Sequence, residues 1–296
     1  MVTPHVPFAG GTPLCRRVAV VLSLLAPAAQ SDPRPLPQRL PLPTVFSAQQ
    51  VVQALQWTGA VSIGPGAVDN STVAYLDGWL LDHAERLLPH IVRQPHERRH
   101  VLLLLGDAGG AVGEAVAAIV RALRGVLPAG SALAELGAFI VSAGAPAQEL
   151  HADRYEAGFL SCQLALHDTP SPAAGGLALW PGTVGDQRWD EAGRLEAGGL
   201  LPQLLGTPQE RGAVTCYDGR LWHRGDRHSG IAETRRVMYF TAALLEDDTA
   251  TVRLDELAIH PRLRCAPRRV APLLRLWAHE RNTSAYTSLR RHCTSH

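Results

Sequence analysis

Two hydrophobic patterns divide the chain into a helical part and a β-rich part. Apolar residues recur at helical spacing after Asp69, Asn70 and Ser71, which predicts a capped amphipathic helix running to about Leu88. Its apolar stripe consists of Val73, Leu76, Leu80, Leu81 and Ala84. A second amphipathic helix is predicted from Ala111 to Leu127. From Leu136 to Leu245, short apolar runs alternate with turns rich in Gly, Pro, Asp and Ser, which is typical of strands.

Helices followed by many short strands predict an α+β, mainly β fold. The expected core is a double-stranded β-helix, a cupin-like jelly roll, with the N-terminal helices packed on it. The runs that are predicted to form its strands are GAFIVSAG, AQELHAD, GFLSCQLALH, GLALW, AVTCYD, RLWHRG and the apolar run that begins RRVMYF.

Composition changes suggest three segments. Residues 1–45 are rich in proline and lack periodicity, so they are predicted to be a leader or linker. Residues 46–250 would form the domain, with its chemistry concentrated in 135–245, and 251–296 would be a C-terminal extension. Within the domain, 188–211 is a long insertion that could serve as a lid.

The leader leaves the cellular compartment open. Arg16 and Arg17 precede the apolar run VAVVLSLLA and then small residues, so that residues 1–29 fit a signal peptide. That run is too short to span a bilayer as a mature helix. Asn70 and Asn282 begin glycosylation sequons that a secretory compartment would use. Secretion or organelle targeting and a disordered cytoplasmic leader remain equal alternatives.

Charge and cysteine content exclude several classes of function. A net charge of +1 argues against a nucleic-acid partner or an electrostatic membrane partner. All 28 basic residues are Arg, which excludes Schiff-base lysine chemistry and a cosubstrate-binding lysine. The five cysteines form no CxxC pair, so a structural zinc site is not expected. Cys162 and Cys216 lie in apolar runs and are predicted to be small buried hydrophobes.

One pattern of polar residues points to a metal. His151 and Asp153 are one residue apart, and residues i and i+2 of a strand face the same side. A distant strand must supply the third ligand, for which His223 in RLWHRG is a better candidate than His228 in the following turn. Two imidazoles and one carboxylate can hold one face of an octahedral ion, as in the facial triad of non-haem Fe(II) oxygenases.

The arginine pair that follows fits a dicarboxylic cosubstrate. Arg235 and Arg236 open the apolar run VMYFTAAL, and a guanidinium there could grip the far carboxylate of such a molecule. Gln163 and Gln148 either point inward near the metal or lie on the strand surface, and Arg154 and Tyr155 could reach a substrate.

The ordered set of motifs resembles the phytanoyl-CoA dioxygenase family of Fe(II)/2-oxoglutarate oxygenases. The set comprises QELHADRYEAG, LALHDTPSPAAGGLALWPGTVG, GAVTCYDGRLWHRG and RRVMYF, and the likeness covers about two thirds of the chain. The resemblance implies that His151, Asp153 and His223 bind iron. It also implies that Arg235 binds the C5 carboxylate of 2-oxoglutarate, with Arg236 as the alternative because the spacing from His223 departs from the family's pattern. The chain further departs at His228 and Val184, where the family often has Asn and His.

The expected activity is hydroxylation of a small organic molecule using Fe(II), O2 and 2-oxoglutarate, which is decarboxylated to succinate. An intact Asp153 favours hydroxylation over halogenation, because the related halogenases have a small residue there. A zinc hydrolase that uses Glu149 or Glu156 as general base is one alternative. A catalytically inactive jelly-roll binding protein is another. The sequence identifies neither the substrate nor the oligomeric state.

Overall fold

The computed structural model describes residues 40–41, 44–45, 48–90, 95–128, 130–169, 174–184, 204–205, 209–229, 234–244 and 260. The α-helices in these ranges are α1 (Ala48–Thr58), α2 (Asn70–His83) and α3 (Ala111–Ala122). The strands are β1 (Leu40–Pro41), β2 (Thr44–Val45), β3 (Ala60–Ile63), β4 (Arg98–Leu102), β5 (Ala132–Val141), β6 (Phe159–Ala165), β7 (Leu177–Leu179), β8 (Leu204–Leu205), β9 (Val214–Asp218), β10 (His223–Gly225) and β11 (Arg235–Ala243).

Helix α2 begins where the sequence predicts it and ends earlier. The carboxylate of Asp69 caps it by accepting hydrogen bonds from the backbone N–H groups of Ser71 and Thr72, at 2.8 and 3.4 Å. The α-helix stops at His83, and a 3-10 turn follows at Ala84–Arg86 in place of the predicted continuation to Leu88. Leu81 is 60% exposed, so its place in the apolar stripe was wrong. Helix α3 likewise ends at Ala122 rather than Leu127.

Two sheets, mainly antiparallel, form the β part of the described structure. The large sheet has the order β2-β3-β9-β6-β11-β5-β4, and the small sheet has the order β1-β8-β7-β10. Only the short pairs β2–β3 and β1–β8 are parallel among the described ladders. The expectation of a mainly β protein with few helices is therefore confirmed.

One face of the large sheet is apolar, and the other carries polar and titratable side chains. Met238, Phe240 and Ala242 of β11 lie in the main core cluster together with helix residues such as Leu76 and Ile119. Because side chains alternate along a strand, Arg235, Tyr239 and Thr241 point to the other side. The three helices therefore cover one face, and the opposite face is left for the functional site.

A cavity of about 290 Å³ lies between the two sheets. The large sheet lines it with side chains of β4, β5, β6, β9 and β11, and the small sheet lines it with residues of β7 and β10. The sheets also meet in an apolar cluster formed by Ala60, Leu177, Leu179, Tyr217 and Leu221.

Several segment predictions need correction or fall outside the described residues. AQELHAD does not form a strand: His151 makes an isolated bridge and the residues after it bend. Leu40–Pro41 and Thr44–Val45, at the end of the predicted leader, pair with β8 and β3. Residues 1–39, most of the proposed lid at 188–211, and 251–296 except His260 lie outside the described residues. No described helix is long and apolar enough to cross a membrane.

Cys162 and Cys216 are fully buried, as expected, but they are also joined in a disulfide bond. They are direct partners in the antiparallel pairing of β6 with β9. The sequence did not reveal this pair, because it depends on how two strands 54 residues apart are aligned.

Reduction of this disulfide is expected to lower the unfolding temperature. A cross-link across 54 residues restricts the unfolded chain and stabilises the fold by about 4 kcal/mol, or roughly 10 °C for a domain of this size. Thermal melts with and without a strong reductant test this, and a variant with both cysteines replaced by alanine should not respond. Free thiols located at Cys162 and Cys216 themselves, by alkylation of the unreduced protein after unfolding and by mass spectrometry, would contradict the bond.

Candidate metal centre

A two-residue backbone bridge brings the two histidines together. The N–H of His151 donates to the carbonyl of His223 at 3.0 Å, and the N–H of His223 donates to the carbonyl of His151 at 2.8 Å. The two imidazole rings consequently lie side by side, with centroids 4.5 Å apart. Asp153 follows in a bend that is held by a hydrogen bond from the N–H of Arg154 to the carbonyl of Gly219.

The three side chains converge on one point. The Oδ1 atom of Asp153 lies 3.3 Å from Nε2 of His223 and 3.6 Å from Nε2 of His151. All three ligand atoms lie within 4.8 Å of one another, and no second group of this kind occurs among the described residues. Donors bound side by side to one ion at about 2.1 Å would be about 3 Å apart. The separations therefore suit a single divalent ion.

Backbone carbonyls orient both imidazoles for metal binding. Nδ1 of His151 donates to the carbonyl of Glu149 at 2.7 Å, and Nδ1 of His223 donates to the carbonyl of Leu221 at 2.9 Å. Each bond places the ring proton on Nδ1 and leaves the Nε2 lone pair for a metal ion. Both carbonyls lie two residues before the histidine, so the ligand loops orient their own rings.

The carboxylate of Asp153 is oriented by the large sheet. Its second oxygen, Oδ2, accepts hydrogen bonds from the hydroxyls of Tyr217 at 3.1 Å and Ser161 at 3.3 Å. Gln163 in turn donates to the Tyr217 hydroxyl at 3.3 Å. With Oδ2 held by the sheet, Oδ1 faces the histidines. Sequence reasoning missed Tyr217 and Ser161, because they come together at Asp153 through the pairing of β6 with β9.

The charges around the triad favour a proton on His223, and this proton competes with a metal ion for Nε2. Burial acts to lower the pKa of His223, but the nearby Asp153 carboxylate outweighs it, so the pKa is raised above the usual 6.5. Burial acts to raise the pKa of Asp153, and the charge and hydrogen bond of His223 reverse the effect and lower it. Without a metal ion, His223 and Asp153 therefore form an ion pair below the pKa of His223.

Binding of a divalent ion is expected to weaken as the pH falls through the pKa of His223. Nε2 must lose its proton to bind, so affinity should drop by up to about tenfold per pH unit below that pKa and binding should release a proton. Calorimetric titrations with Co(II) in two buffers of different ionisation enthalpy measure both quantities. A pH-independent affinity with no proton release would contradict this assignment.

Arg235 lines the same cavity as the triad. It is 3% exposed, and its Nε and Nη2 atoms have no hydrogen-bond partner among the described residues. Burial, followed by the charge of Arg98, lowers the pKa of Arg235 to about 10, so it stays protonated at neutral pH. A buried cation without a counter-charge costs several kcal/mol, which is the expected feature of an anion site.

Arg236 occupies the opposite face of β11. Its guanidinium forms a two-pronged ion pair with Asp77 of helix α2, with Nη2 to Oδ2 at 3.0 Å. It does not line the cavity. This position argues against Arg236 as a cosubstrate anchor, because the strand alternation that aims Arg235 inward directs Arg236 into the helical layer.

The other candidates divide between the cavity and the rest of the protein. Gln163, Gln148 and Arg154 line the cavity, whereas Tyr155 is 61% exposed and does not line it. His228 is fully buried in a bridge with Ala174 and is not part of the triad. The position of His228 in the fold therefore excludes it as a ligand of the triad. Trp180 and Trp222 are buried, as expected of core residues.

Glu135 is an acidic cavity residue that sequence reasoning did not single out. Its carboxylate accepts hydrogen bonds from Arg154 and from Thr241, the latter at 3.0 Å. Burial, followed by the charge of Asp153, raises the pKa of Glu135. The two acids proposed as hydrolytic bases, Glu149 and Glu156, are exposed and do not line the cavity.

No protein-family model matches the chain. A comparison with curated protein sequences also finds no match. The resemblance to the phytanoyl-CoA dioxygenase family is therefore not confirmed.

Solved structures do match the fold. HygX from Streptomyces hygroscopicus, with nickel and 2-oxoglutarate bound, aligns with a TM-score of 0.54 at 17% identity, over 73% of this chain and 96% of HygX. AviO1 from Streptomyces viridochromogenes Tue57 aligns with a TM-score of 0.52 at 17% identity, over 70% of this chain and 98% of AviO1. SnoN, a non-haem α-ketoglutarate-dependent epimerase from nogalamycin biosynthesis, aligns with a TM-score of 0.51 at 20% identity, over 66% of this chain and 82% of SnoN. The chain thus shares the fold of these proteins.

Proposed function

We propose that the protein is a non-haem Fe(II)- and 2-oxoglutarate-dependent oxygenase that hydroxylates a small organic substrate. The observation that carries the proposal is the combination in one cavity of a His–Asp–His triad and a buried guanidinium whose Nε and Nη2 atoms have no hydrogen-bond partner among the described residues. A metal site alone fits many reactions. The cation beside it adds a site for the dicarboxylate that this class of oxygenase uses.

In this proposal each residue has a defined role. His151, Asp153 and His223 bind Fe(II) through Nε2, Oδ1 and Nε2, and Tyr217 and Ser161 hold the carboxylate in place. Arg235 binds the C5 carboxylate of 2-oxoglutarate, and Gln163, which lines the same cavity, supplies a further polar contact. Bound Fe(II) supplies the oxidation of substrate by O2, coupled to decarboxylation of 2-oxoglutarate to succinate and CO2. The sheets exclude water and fix the orientation of the ligands.

The proposal also covers the fold type and the bounds of the catalytic domain. The two facing sheets form the double-stranded β-helix, residues 46–250 form the catalytic domain, and its metal-bearing part is 135–245. Support comes from the fold shared with HygX, whose structure holds nickel and 2-oxoglutarate, and with SnoN, an α-ketoglutarate-dependent enzyme. A cavity of about 290 Å³ suits small molecules, since pockets for such ligands begin near this size.

The two alternative functions account for fewer of the observations. A zinc hydrolase needs a general base, but Glu149 and Glu156 are outside the cavity, and Arg154 and Thr241 already engage the carboxylate of Glu135. A binding protein without activity would have no need to keep three convergent ligands. Neither alternative gives a reason for burying Arg235.

Anaerobic addition of Fe(II) and then 2-oxoglutarate separates these functions. The oxygenase should develop a weak visible charge-transfer band, because the cosubstrate chelates the ion. A protein that binds Fe(II) without developing the band on addition of 2-oxoglutarate would be one of the alternatives. Once the band is observed, succinate production across amino-acid derivatives, acyl thioesters and natural products would identify the substrate class.

A further inference from the structure

A second buried arginine, Arg98, lines the same cavity as Arg235. Arg98 of β4 and Arg235 of β11 both pair with Val141, one from each side of β5. They therefore occupy the same row of the sheet and the same face, and both line the cavity. Arg98 is 2% exposed.

The charge of Arg98 has no carboxylate partner among the described residues. Its Nη2 donates to the backbone carbonyls of Pro146 at 2.9 Å and Asp226 at 3.2 Å, and its Nε has no hydrogen-bond partner. The side chain of Asp226 instead pairs with Arg224. Burial lowers the pKa of Arg98 to about 10, which leaves it charged at neutral pH. The two like charges in one cavity repel, and the charge of Arg98 contributes to lowering the pKa of Arg235. An anion bound by both guanidinium groups would offset this repulsion.

The backbone nearby makes room for this second guanidinium. Gly225 of β10 lies against Arg98, and a Cβ at that position would collide with the guanidinium and with the side-chain oxygen of Gln148. The same oxygen accepts a hydrogen bond from the N–H of Gly225 at 2.8 Å. The absence of a side chain at Gly225, two residues after the proposed metal ligand His223, therefore leaves room for the Arg98 guanidinium in the cavity.

We infer that Arg98 and Arg235 together form a two-guanidinium clamp for one carboxylate, the distal carboxylate of 2-oxoglutarate. The inference rests on the proposed function and adds a residue to it. Arg235 alone would neutralise one charge of a dianion, and a second guanidinium on the same end supplies further charge-assisted hydrogen bonds. The clamp would select 2-oxo acids that carry a second carboxylate at that distance from the keto group.

The test compares two ligands on protein loaded anaerobically with Fe(II). Calorimetry measures the Kd of 2-oxoglutarate and of 2-oxobutyrate, which lacks the distal carboxylate. In Arg98→Gln the Kd of 2-oxoglutarate should rise roughly 10- to 100-fold, while that of 2-oxobutyrate should change less than about twofold. The selectivity for the dicarboxylate should therefore fall by the same 10- to 100-fold.

Control variants separate a clamp from a structural role. Arg99→Gln alters the neighbouring arginine, which pairs with Glu85, and should leave both affinities unchanged. Gly225→Ala should push the Arg98 guanidinium aside and lower the selectivity in the same direction, which keeps the test valid if Arg98→Gln does not fold. Equal weakening of both ligands, or unchanged selectivity in a folded Arg98→Gln protein, would overturn the clamp. Failure of the wild-type protein to bind 2-oxoglutarate at all would instead refute the proposed function.

Discussion

Replacement of Asp153 by alanine is expected to abolish hydroxylation and succinate formation. Oδ1 of Asp153 is the only anionic donor of the triad, so its loss should weaken Fe(II) binding by more than about 100-fold and leave one coordination position unfilled. The protein should stay folded, because Asp153 lies in a bend outside the strands and its charge acts unfavourably on Glu135. Succinate and product are measured beside a thermal melt, for wild type and variant with matched iron.

The pH of the melt matters for this experiment. Because Asp153 raises the pKa of His223, their ion pair adds stability below that pKa, and this contribution is lost as the pH rises through it. At the acid end it is lost as the pH falls through the lowered pKa of Asp153. The alanine variant should therefore lose most stability near pH 5–6, between the ordinary pKa values of the two groups, and progressively less as the pH rises through the raised pKa of His223. Full activity in the variant would mean that iron is held elsewhere, and the functional proposal would be withdrawn.

The metal triad could be predicted from the sequence because its signals are local. His151 and Asp153 are one residue apart, and RLWHRG predicts the short strand that carries His223. The strand geometry that was expected to bring His151 and Asp153 together was only partly right. The run around His151 is not a strand, and the ligands converge because a single bridge joins His151 to His223 while a bend turns Asp153 towards them. A motif can thus predict convergence although the local backbone differs from the expected one.

The residues that the sequence did not reveal depend on strand register. Tyr217 reaches Asp153 from β9, and Arg98 reaches the row of Arg235 from β4, across pairings of residues far apart in the chain. The Cys162–Cys216 bond depends on register in the same way. One residue of slip reverses which side chains face the cavity, so no local pattern could identify these positions.

The assignment of Arg235 and Arg236 illustrates the same limit. Two adjacent arginines on a strand must face opposite sides, but the sequence does not say which side is the cavity. The family resemblance favoured Arg235, and the structure places Arg235 in the cavity and Arg236 against Asp77. The two adjacent arginines therefore have different surroundings. Arg236 forms an ion pair with Asp77 of helix α2, and Arg235 faces the cavity.

Replacement of Arg235 by alanine is expected to raise the Kd of 2-oxoglutarate by about 30-fold to several thousand-fold, since truncating one partner of a buried charge pair costs about 2–5 kcal/mol. Fe(II) binding should be spared, because Arg235 is not one of the three convergent ligand residues, and its Nε and Nη2 atoms form no hydrogen bond with any described residue. The matched control is Arg236→Ala, which removes the ion pair with Asp77. It should lower the unfolding temperature and leave cosubstrate affinity unchanged.

These two variants separate function from stability on adjacent residues of one strand. Loss of Arg235 removes a buried cation that has no hydrogen-bond partner at Nε or Nη2 among the described residues, so the ligand-free protein should be no less stable and could gain stability. Loss of Arg236 leaves Asp77 without its partner and should destabilise the fold with or without ligand. Calorimetric titration and thermal melts of both variants provide the comparison. If Arg235→Ala bound 2-oxoglutarate normally while Arg236→Ala did not, the cosubstrate would lie on the helical face of β11, and the cavity would have to be assigned another role.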